Sequence, residues 1–373
     1  MKLQDPSLRN KKIYLYSSLH PHKRANACVL MACYSVIYLG ATPSEAYAPF
    51  TGLSKFTPFH DASQYACTFE LTVLDCCKAV FKAKECGILN FDTFDLRQCM
   101  YYEQVENGDL NWVLPNMCAF AGPQETREMG LIDGYSTLVP EDYVEYFKQR
   151  DVRTILRLNK KYYTAERFEK HGIHVIDLYY KDGSVPTMGL LQRFIAECER
   201  ATTNIGVHCK AGLGRTGTCM GAYMMKHYGF TAAEVIAWIR ICRPGSIIGP
   251  QQHFLEEIEQ QMWHEGDIFR RAASAARAAS GGASSAPGTP GTAGGAAERH
   301  ELIAELARLS IAPSEAAGAP AAAIARRKLE VASAPDRSNQ AAGLLASRRP
   351  SPRDKTPRDT MTKPGTKAVV AGR

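Results

Sequence analysis

No stretch of the 373 residues approaches the ~18 consecutive apolar positions that a bilayer-crossing helix needs, so a membrane span is not expected. The opening residues, Met1-Lys2-Leu3-Gln4-Asp5-Pro6, lack an apolar segment, and a secretory signal is not expected either. A reducing compartment is therefore expected, in which the 12 cysteines remain thiols. No two of them form a CxxC pair, which removes the commonest zinc-ligand spacing. What the chain does not lack is apolar material. With 45% hydrophobic and 22% charged residues, wholesale disorder is excluded, and the length calls for two or three units at ~150 residues each.

Charge and aromatic content are unevenly distributed. Residues 267–373 hold 17 Lys/Arg against 9 Asp/Glu, so the net charge of +7 belongs to that segment and residues 1–266 are close to neutral. The same segment has 28 alanines, no tyrosine, and Phe269 as its one aromatic residue. It offers too little apolar surface to offset chain entropy, so 267–373 is expected to be a largely disordered basic tail, without specific nucleic-acid binding. Within it, Leu302, Leu306, Leu309 and Ile311 recur near helical spacing. That pattern suits a transient amphipathic helix, and more loosely a leucine-rich export signal.

The second half of 1–266 alternates β-branched runs with helical periods. Val152–Leu158, Ile173–Tyr179 and Ile205–His208 read as buried strands. Leu190–Glu199, Thr216–Tyr228, Ala232–Cys242 and a segment from Pro250 to about Trp263 read as helices. Such alternation predicts an α/β fold with a mostly parallel sheet. Toward the N-terminus, Lys12–Ser17 reads as a strand, and Arg24–Leu39, Pro43–Tyr47, Thr68–Lys82 and Phe94–Glu106 as helical. Asn107-Gly108 is a stop signal, and a domain boundary is placed there.

The chemistry centres on Val207-His208-Cys209-Lys210-Ala211-Gly212-Leu213-Gly214-Arg215-Thr216-Gly217. A cysteine and an arginine six positions apart frame a glycine-containing loop between a strand and a helix. The amides of Lys210, Ala211, Gly212, Leu213 and Gly214 can converge on one point as an anion nest, and the following helix aims its positive end at the same point. A phosphoryl group fits such a cradle, and the planar fork of Arg215 can grip two of its oxygens. Cysteines in such a field ionise at ~3.5–7.5 rather than near ~8.5, so Cys209 is the expected nucleophile, with Thr216 placed to hydrogen-bond its sulfur. The other eleven cysteines are assigned to core packing.

A phosphocysteine route needs an acid for the leaving oxygen. Asp182 opens the turn Asp182-Gly183-Ser184-Val185-Pro186 just after a strand, where such an acid belongs. Asp177, within the strand, is the weaker candidate.

The segment from His208 to Gly217, the run Ile236-Ala237-Trp238-Ile239-Arg240-Ile241-Cys242-Arg243-Pro244-Gly245-Ser246-Ile247-Ile248-Gly249-Pro250-Gln251-Gln252, and upstream Asn107-Gly108-Asp109-Leu110-Asn111-Trp112 closely resemble the cell-division-cycle-fourteen protein phosphatases. The resemblance covers about residues 11–266. It implies tandem dual-specificity-phosphatase folds joined by a helix: a shortened non-catalytic domain over 1–94, with Ser18 where a nucleophile would stand, a linker helix over 95–107, and a catalytic domain over 108–266. It also implies Cys209 as nucleophile, Arg215 as phosphate clamp, Asp182 as general acid, Gln251 and Gln252 as water-orienting residues, and no metal or organic cofactor.

Relatives of this kind act on phosphoserine followed by proline with a basic residue nearby, reversing cyclin-dependent kinase phosphorylation in the cell cycle. Phosphoproteins made by those kinases are thus the implied partners, and cytoplasm and nucleus, including nucleolus, spindle pole or centrosome, the implied locations. The oligomeric state stays open. Glu103, Glu106 and Asp109 are candidates for an acidic groove wall that would favour basic peptides. An inositol-lipid phosphatase is the alternative enzyme, disfavoured because Leu213 stands where such loops carry a second basic residue. A phosphopeptide-binding or anchoring protein without turnover is the alternative outside enzymes. Two Ser/Thr-Pro sites, at Ser351 and Thr356, lie among basic residues of the tail and match the implied substrate pattern.

Overall fold

In a computed structural model that describes residues 5–12, 14–64, 66–128 and 136–279, the chain runs α1 (Pro21–Tyr38), α2 (Pro43–Tyr47), α3 (Val73–Glu85), α4 (Leu96–Tyr102), β1 (Leu110–Leu114), β2 (Met117–Phe120), α5 (Glu141–Gln149), β3 (Val152–Arg157), α6 (Glu166–Glu169), β4 (His174–Asp177), α7 (Met188–Arg200), β5 (Asn204–His208), α8 (Gly214–Tyr228), α9 (Ala232–Cys242) and α10 (Pro250–Ala279). The strands form one sheet in the order β1-β2-β5-β3-β4, parallel except for the β1–β2 hairpin. This is the expected α/β class. Register aligns Phe120 with His208, His208 with Arg157, and Arg157 with Asp177. The carboxyl ends of four strands therefore finish together at one sheet edge, where loops in such folds bind ligands.

Helices cover both faces, which is why the strands read as apolar runs rather than alternations. On one face Tyr143 and Phe147 of α5 and Phe168 of α6 pack against Phe120, Val152 and Ile155. On the other, Ala119, Leu156 and Val207 meet Phe194 of α7, Tyr223 of α8, Ile236 of α9 and Leu255 of α10. Helix α8 is central, with every residue from Arg215 to Met225 buried. Among the described residues, no helix is long and apolar enough to cross a membrane.

The N-terminal quarter departs from the sequence reading. The described residues of 12–17 form no strand, and α1, α2 and α3 pack as a helical layer around Cys28, Ala32, Val36 and Cys77. Helix α3 starts at Val73, not Thr68, because a reciprocal capping box between Thr72 and Asp75 sets the N-terminus there. Its other face, through Cys76, Ala79 and Ala83, joins the core of the sheet domain against α9. The helical stretch expected over Phe94–Glu106 is shorter: α4 is followed by a single 3-10 turn, Val105–Asn107. Four of the cysteines assigned to packing, Cys33, Cys67, Cys99 and Cys242, are only half-buried.

Helix α10 runs on to Ala279, past the expected end near Trp263 and into the segment expected to be disordered. The expectations for the rest of the tail, including 298–311, Ser351 and Thr356, lie outside the described residues.

Candidate active site

Cys209 leaves the end of β5 and is 3% exposed. The loop that follows turns tightly at Gly212, whose φ is +65°, and enters α8 at Gly214. A Cβ at Gly212 would lie 2.0 Å from the Phe120 carbonyl oxygen, so β2 presses directly on the loop. The Gly122 N–H donates to the Lys210 carbonyl at 3.0 Å from the same side.

Arg243, fully buried, supports the loop from beneath. Its Nε donates to the Gly212 carbonyl at 2.7 Å and one terminal nitrogen to the Ala211 carbonyl at 2.9 Å. The other donates to Asn111 Oδ1 at 2.7 Å, and Asp109 Oδ1 balances the guanidinium charge at 3.1 Å. With two carbonyls directed to Arg243, the loop amides are left to face the other way, as an anion nest requires. Leu213, 1% exposed, packs with Ala211 and Ile248.

Arg215 is the first charged residue of α8 and is 3% exposed. One terminal nitrogen is held by the carbonyls of Tyr180 at 2.9 Å and Leu158 at 3.4 Å, from the loops after β4 and β3. The Tyr180 hydroxyl donates to the Arg215 carbonyl at 2.9 Å, so the two residues clasp each other. The second terminal nitrogen is 3.3 Å from Asp182 Oδ1. Arg215 Nε and Thr216 Oγ1 are buried without a protein hydrogen-bond partner, donors that an oxyanion or thiolate can take up.

Asp182, more than a third exposed, sits in the turn after β4 with its Oδ1 accepting from the Gly183 N–H at 3.1 Å. Asp177 is engaged elsewhere. Burial opposes its ionisation, but hydrogen bonds from the buried Arg157 at 2.6 Å and from Lys161 outweigh that and hold the carboxyl below its usual range. An anchored carboxylate of this kind is a poor acid, which leaves Asp182 as the candidate.

His208 precedes Cys209 and is wholly buried. Its Nδ1 lies 2.9 Å from the Cys209 carbonyl and its Nε2 2.9 Å from the Tyr163 hydroxyl. Burial drives its pKa down to about 3, so it is neutral and orients the strand end rather than exchanging protons.

Gln251 and Gln252 open α10 and diverge. Gln251 donates from Nε2 to the Ser184 carbonyl at 3.1 Å and accepts at Oε1 from the Ile248 N–H at 3.0 Å. The same Oε1 lies 2.8 Å from the position a Cβ would take on Gly214. Gln251 thus touches both the Asp182–Pro186 turn and the loop from Cys209 to Arg215. Gln252 accepts from Arg240 at 2.7 Å and donates to Asp61 at 3.2 Å and to the Gly249 carbonyl at 3.2 Å. Its carboxamide is committed to those groups, which corrects the expectation that it shares a water-orienting role. Ile247, a β-branched residue, has φ +58° in the turn just before, a conformation costing ~1–3 kcal/mol that the surrounding bonds must hold.

Of the three expected groove carboxylates, Glu103 and Glu106 are exposed. Asp109 is 2% exposed and bound to Arg243, so it cannot meet a basic peptide; this assignment is corrected to a support of the loop. In the sequence, Arg243 is marked only by its Arg-Pro-Gly context, and Asp61 carries no local signal at all.

Two family models match the chain: "Dual specificity protein phosphatase, N-terminal half" over residues 1–83 and "Dual specificity phosphatase, catalytic domain" over residues 146–262. Dual specificity protein phosphatase CDC14AB of Danio rerio is 51% identical over 272 residues, covering 72% of this chain and 44% of that protein. CDC14A of Homo sapiens is 50% identical over 272 residues, covering 72% and 46%. The chain thus spans less than half the length of these relatives. Among solved structures, PTPMT1 is 20% identical over 43% of this chain and 99% of that one, with a TM-score of 0.35.

Proposed function

This chain belongs to the CDC14 family of dual specificity protein phosphatases, and on that premise we propose that it hydrolyses phosphoserine, phosphothreonine and phosphotyrosine esters in proteins through a phosphocysteine. The observation carrying the proposal is the convergence of the Cys209 loop, the Arg215 guanidinium and the Asp182 carboxylate, the last two 3.3 Å apart.

The arriving phosphoryl dianion takes the loop amides, Arg215 Nε and the terminal nitrogen now shared with Asp182. That exchange breaks the Arg215–Asp182 pair, and the freed Asp182 carboxylate takes up a proton from solvent and turns toward the leaving oxygen. The Cys209 sulfur attacks phosphorus in line, the P–O ester bond breaks, and the leaving oxygen takes the proton from the Asp182 carboxyl. A water oxygen then attacks the phosphocysteine while the P–S bond breaks. Its proton returns to the Asp182 carboxylate, Thr216 Oγ1 hydrogen-bonds the departing sulfur, and inorganic phosphate leaves. Gln251, between the acid loop and the phosphate loop, is placed to orient that water.

Substrates made by cyclin-dependent kinases, a preference for Ser-Pro with a basic residue nearby, and action in nucleus and cytoplasm belong to the same proposal. Glu103 and Glu106 supply its acidic wall. Reversing both charges is expected to lower kcat/KM for a basic phosphopeptide and leave a neutral one unchanged; equal effects on both would remove the wall.

The decisive experiment compares a phosphoserine-proline peptide with an inositol phosphate as substrates of the chain. Peptide turnover, abolished by Cys209→Ser, is expected. Asp182→Ala should slow the peptide more than an activated aryl phosphate, whose leaving group needs less protonation. Preference for the inositol phosphate would replace the protein-phosphatase reading, and binding without turnover would favour an anchoring role.

A further inference from the structure

The N-terminal helical half places one buried carboxylate against the catalytic half. Asp61 is 3% exposed. Its Oδ2 accepts from the Gly249 N–H and from Gln252 Nε2 at 3.2 Å, and its Oδ1 accepts from Ser63 Oγ at 2.8 Å. Gly249 is the residue immediately before α10, and the first turn of that helix has no acidic side chain of its own. A helix N-terminus leaves amide donors unsatisfied and favours a nearby negative charge. Asp61 supplies both acceptor and charge from 188 positions away.

The first turn of α10 also carries Gln251. A helix start fixed at Gly249 and Gln252 on either side leaves Gln251 little freedom to shift. Arg240 adds to the hold by donating to the carbonyls of Ser246 at 3.0 Å and Ile247 at 2.6 Å and to Gln252. The path from Asp61 through Gly249 and Gln252 to Gln251, and on to Ser184 and Gly214, is a chain of direct contacts.

We propose that Asp61 is a positioning residue for the second half of the reaction: by fixing the start of α10 it holds Gln251 where water attacks the phosphocysteine. The inference rests on the phosphatase reading above. The first chemical step uses Cys209, Arg215 and Asp182; Gln251 transfers no proton in it and meets the acid turn only at the Ser184 carbonyl. Loss of Asp61 therefore slows P–S cleavage and leaves P–O cleavage alone. A slowed second step makes phosphocysteine accumulate, which lowers kcat and KM together.

The test is steady-state and rapid-quench kinetics on an aryl phosphate with the full chain, as wild type, Asp61→Asn and Asp61→Ala. For Asp61→Ala, kcat is expected to fall about tenfold and KM in proportion. Then kcat/KM stays within about twofold, and a burst of phenolate appears with an amplitude near one per folded site. Asp61→Asn keeps an acceptor for Gly249 and loses the charge, so it is expected to fall between the two. Because the burst counts competent sites, partial misfolding does not disguise the result; if the alanine variant does not fold, the same split in Asp61→Asn decides. An equal loss of kcat and kcat/KM without a burst, or no change in either variant, would overturn the inference while wild-type turnover leaves the phosphatase reading intact. Absence of wild-type turnover would overturn both.

Discussion

Gly212 shows how little room the phosphate loop allows a single residue. Its φ of +65° and the 2.0 Å approach of a Cβ to the Phe120 carbonyl oxygen make any side chain displace either the loop or β2. A shift of ~1 Å in catalytic geometry can cost about 10²-fold in rate. Gly212→Ala is therefore expected to lower kcat/KM by at least about that factor, measured on a phosphopeptide with far-ultraviolet circular dichroism as the check on folding; a variant within about fivefold of wild type would contradict this account of the loop. His208 offers a different readout. Its folded pKa of about 3 lies below the ordinary value of 6.5, so between those pH values the unfolded chain binds a proton that the folded chain refuses. Stability therefore rises with pH across that window and is lost on acidification, by about 1.4 kcal/mol per pH unit for this one group. His208→Asn is expected to flatten the denaturant-measured stability profile between pH 6.5 and 4.5 by about that slope. An unchanged slope would mean that His208 is charged in the fold.

At the scale of elements, α10 is the surprise, because it does not stop where the expected core ends. Phe269 meets the His227 ring edge-on at 5.0 Å, Lys226 Nζ is 5.5 Å from the Phe269 ring centre, and Arg270 donates to the Lys226 carbonyl at 3.1 Å. These contacts fasten the far end of α10 to the far end of α8, the helix whose start holds Arg215. An aromatic pair and a partly exposed cation–π contact together are worth about 1–2 kcal/mol. A chain ending at 266 is expected to melt about 5 °C below one ending at 279, and Phe269→Ala in the longer chain should reproduce most of the difference by calorimetry. Equal melting temperatures would make the extension of α10 a passenger.

At the scale of the described residues, one hydrophobic cluster runs across the boundary that the sequence reading places at Asn107-Gly108. Helix α3 contributes Cys76, Ala79 and Ala83 to the cluster that also holds Val207 and Ile236, and Asp61 crosses from the same half to α10. Shared burial couples unfolding, so residues 5–279 are expected to melt in a single calorimetric transition with equal calorimetric and van't Hoff enthalpies. Two resolved transitions would show that the halves fold independently and that the contact across them is weak.

The amino-acid sequence by itself determined the phosphate loop, the helix after it and the strand before it. All of that chemistry is local: Cys209, the glycines and Arg215 occupy consecutive positions, and the loop's shape follows from backbone freedom and the start of α8. Asp182 was legible for a related reason, since a turn at a strand's end announces itself in Asp-Gly. The β1–β2 hairpin was not legible, because both faces of β1 and β2 are covered and the alternation that marks a half-buried strand is absent. Nor was the fate of the carboxylates. Asp109 and Glu106 look alike in sequence, yet one is sealed against Arg243 and the other faces solvent. Asp61 looks like any loop aspartate until Gly249 and Gln252 are brought to it from far along the chain. Whether a charge is a surface group or a buried support depends on which distant partner desolvates and neutralises it, and only the tertiary structure brings that partner into place.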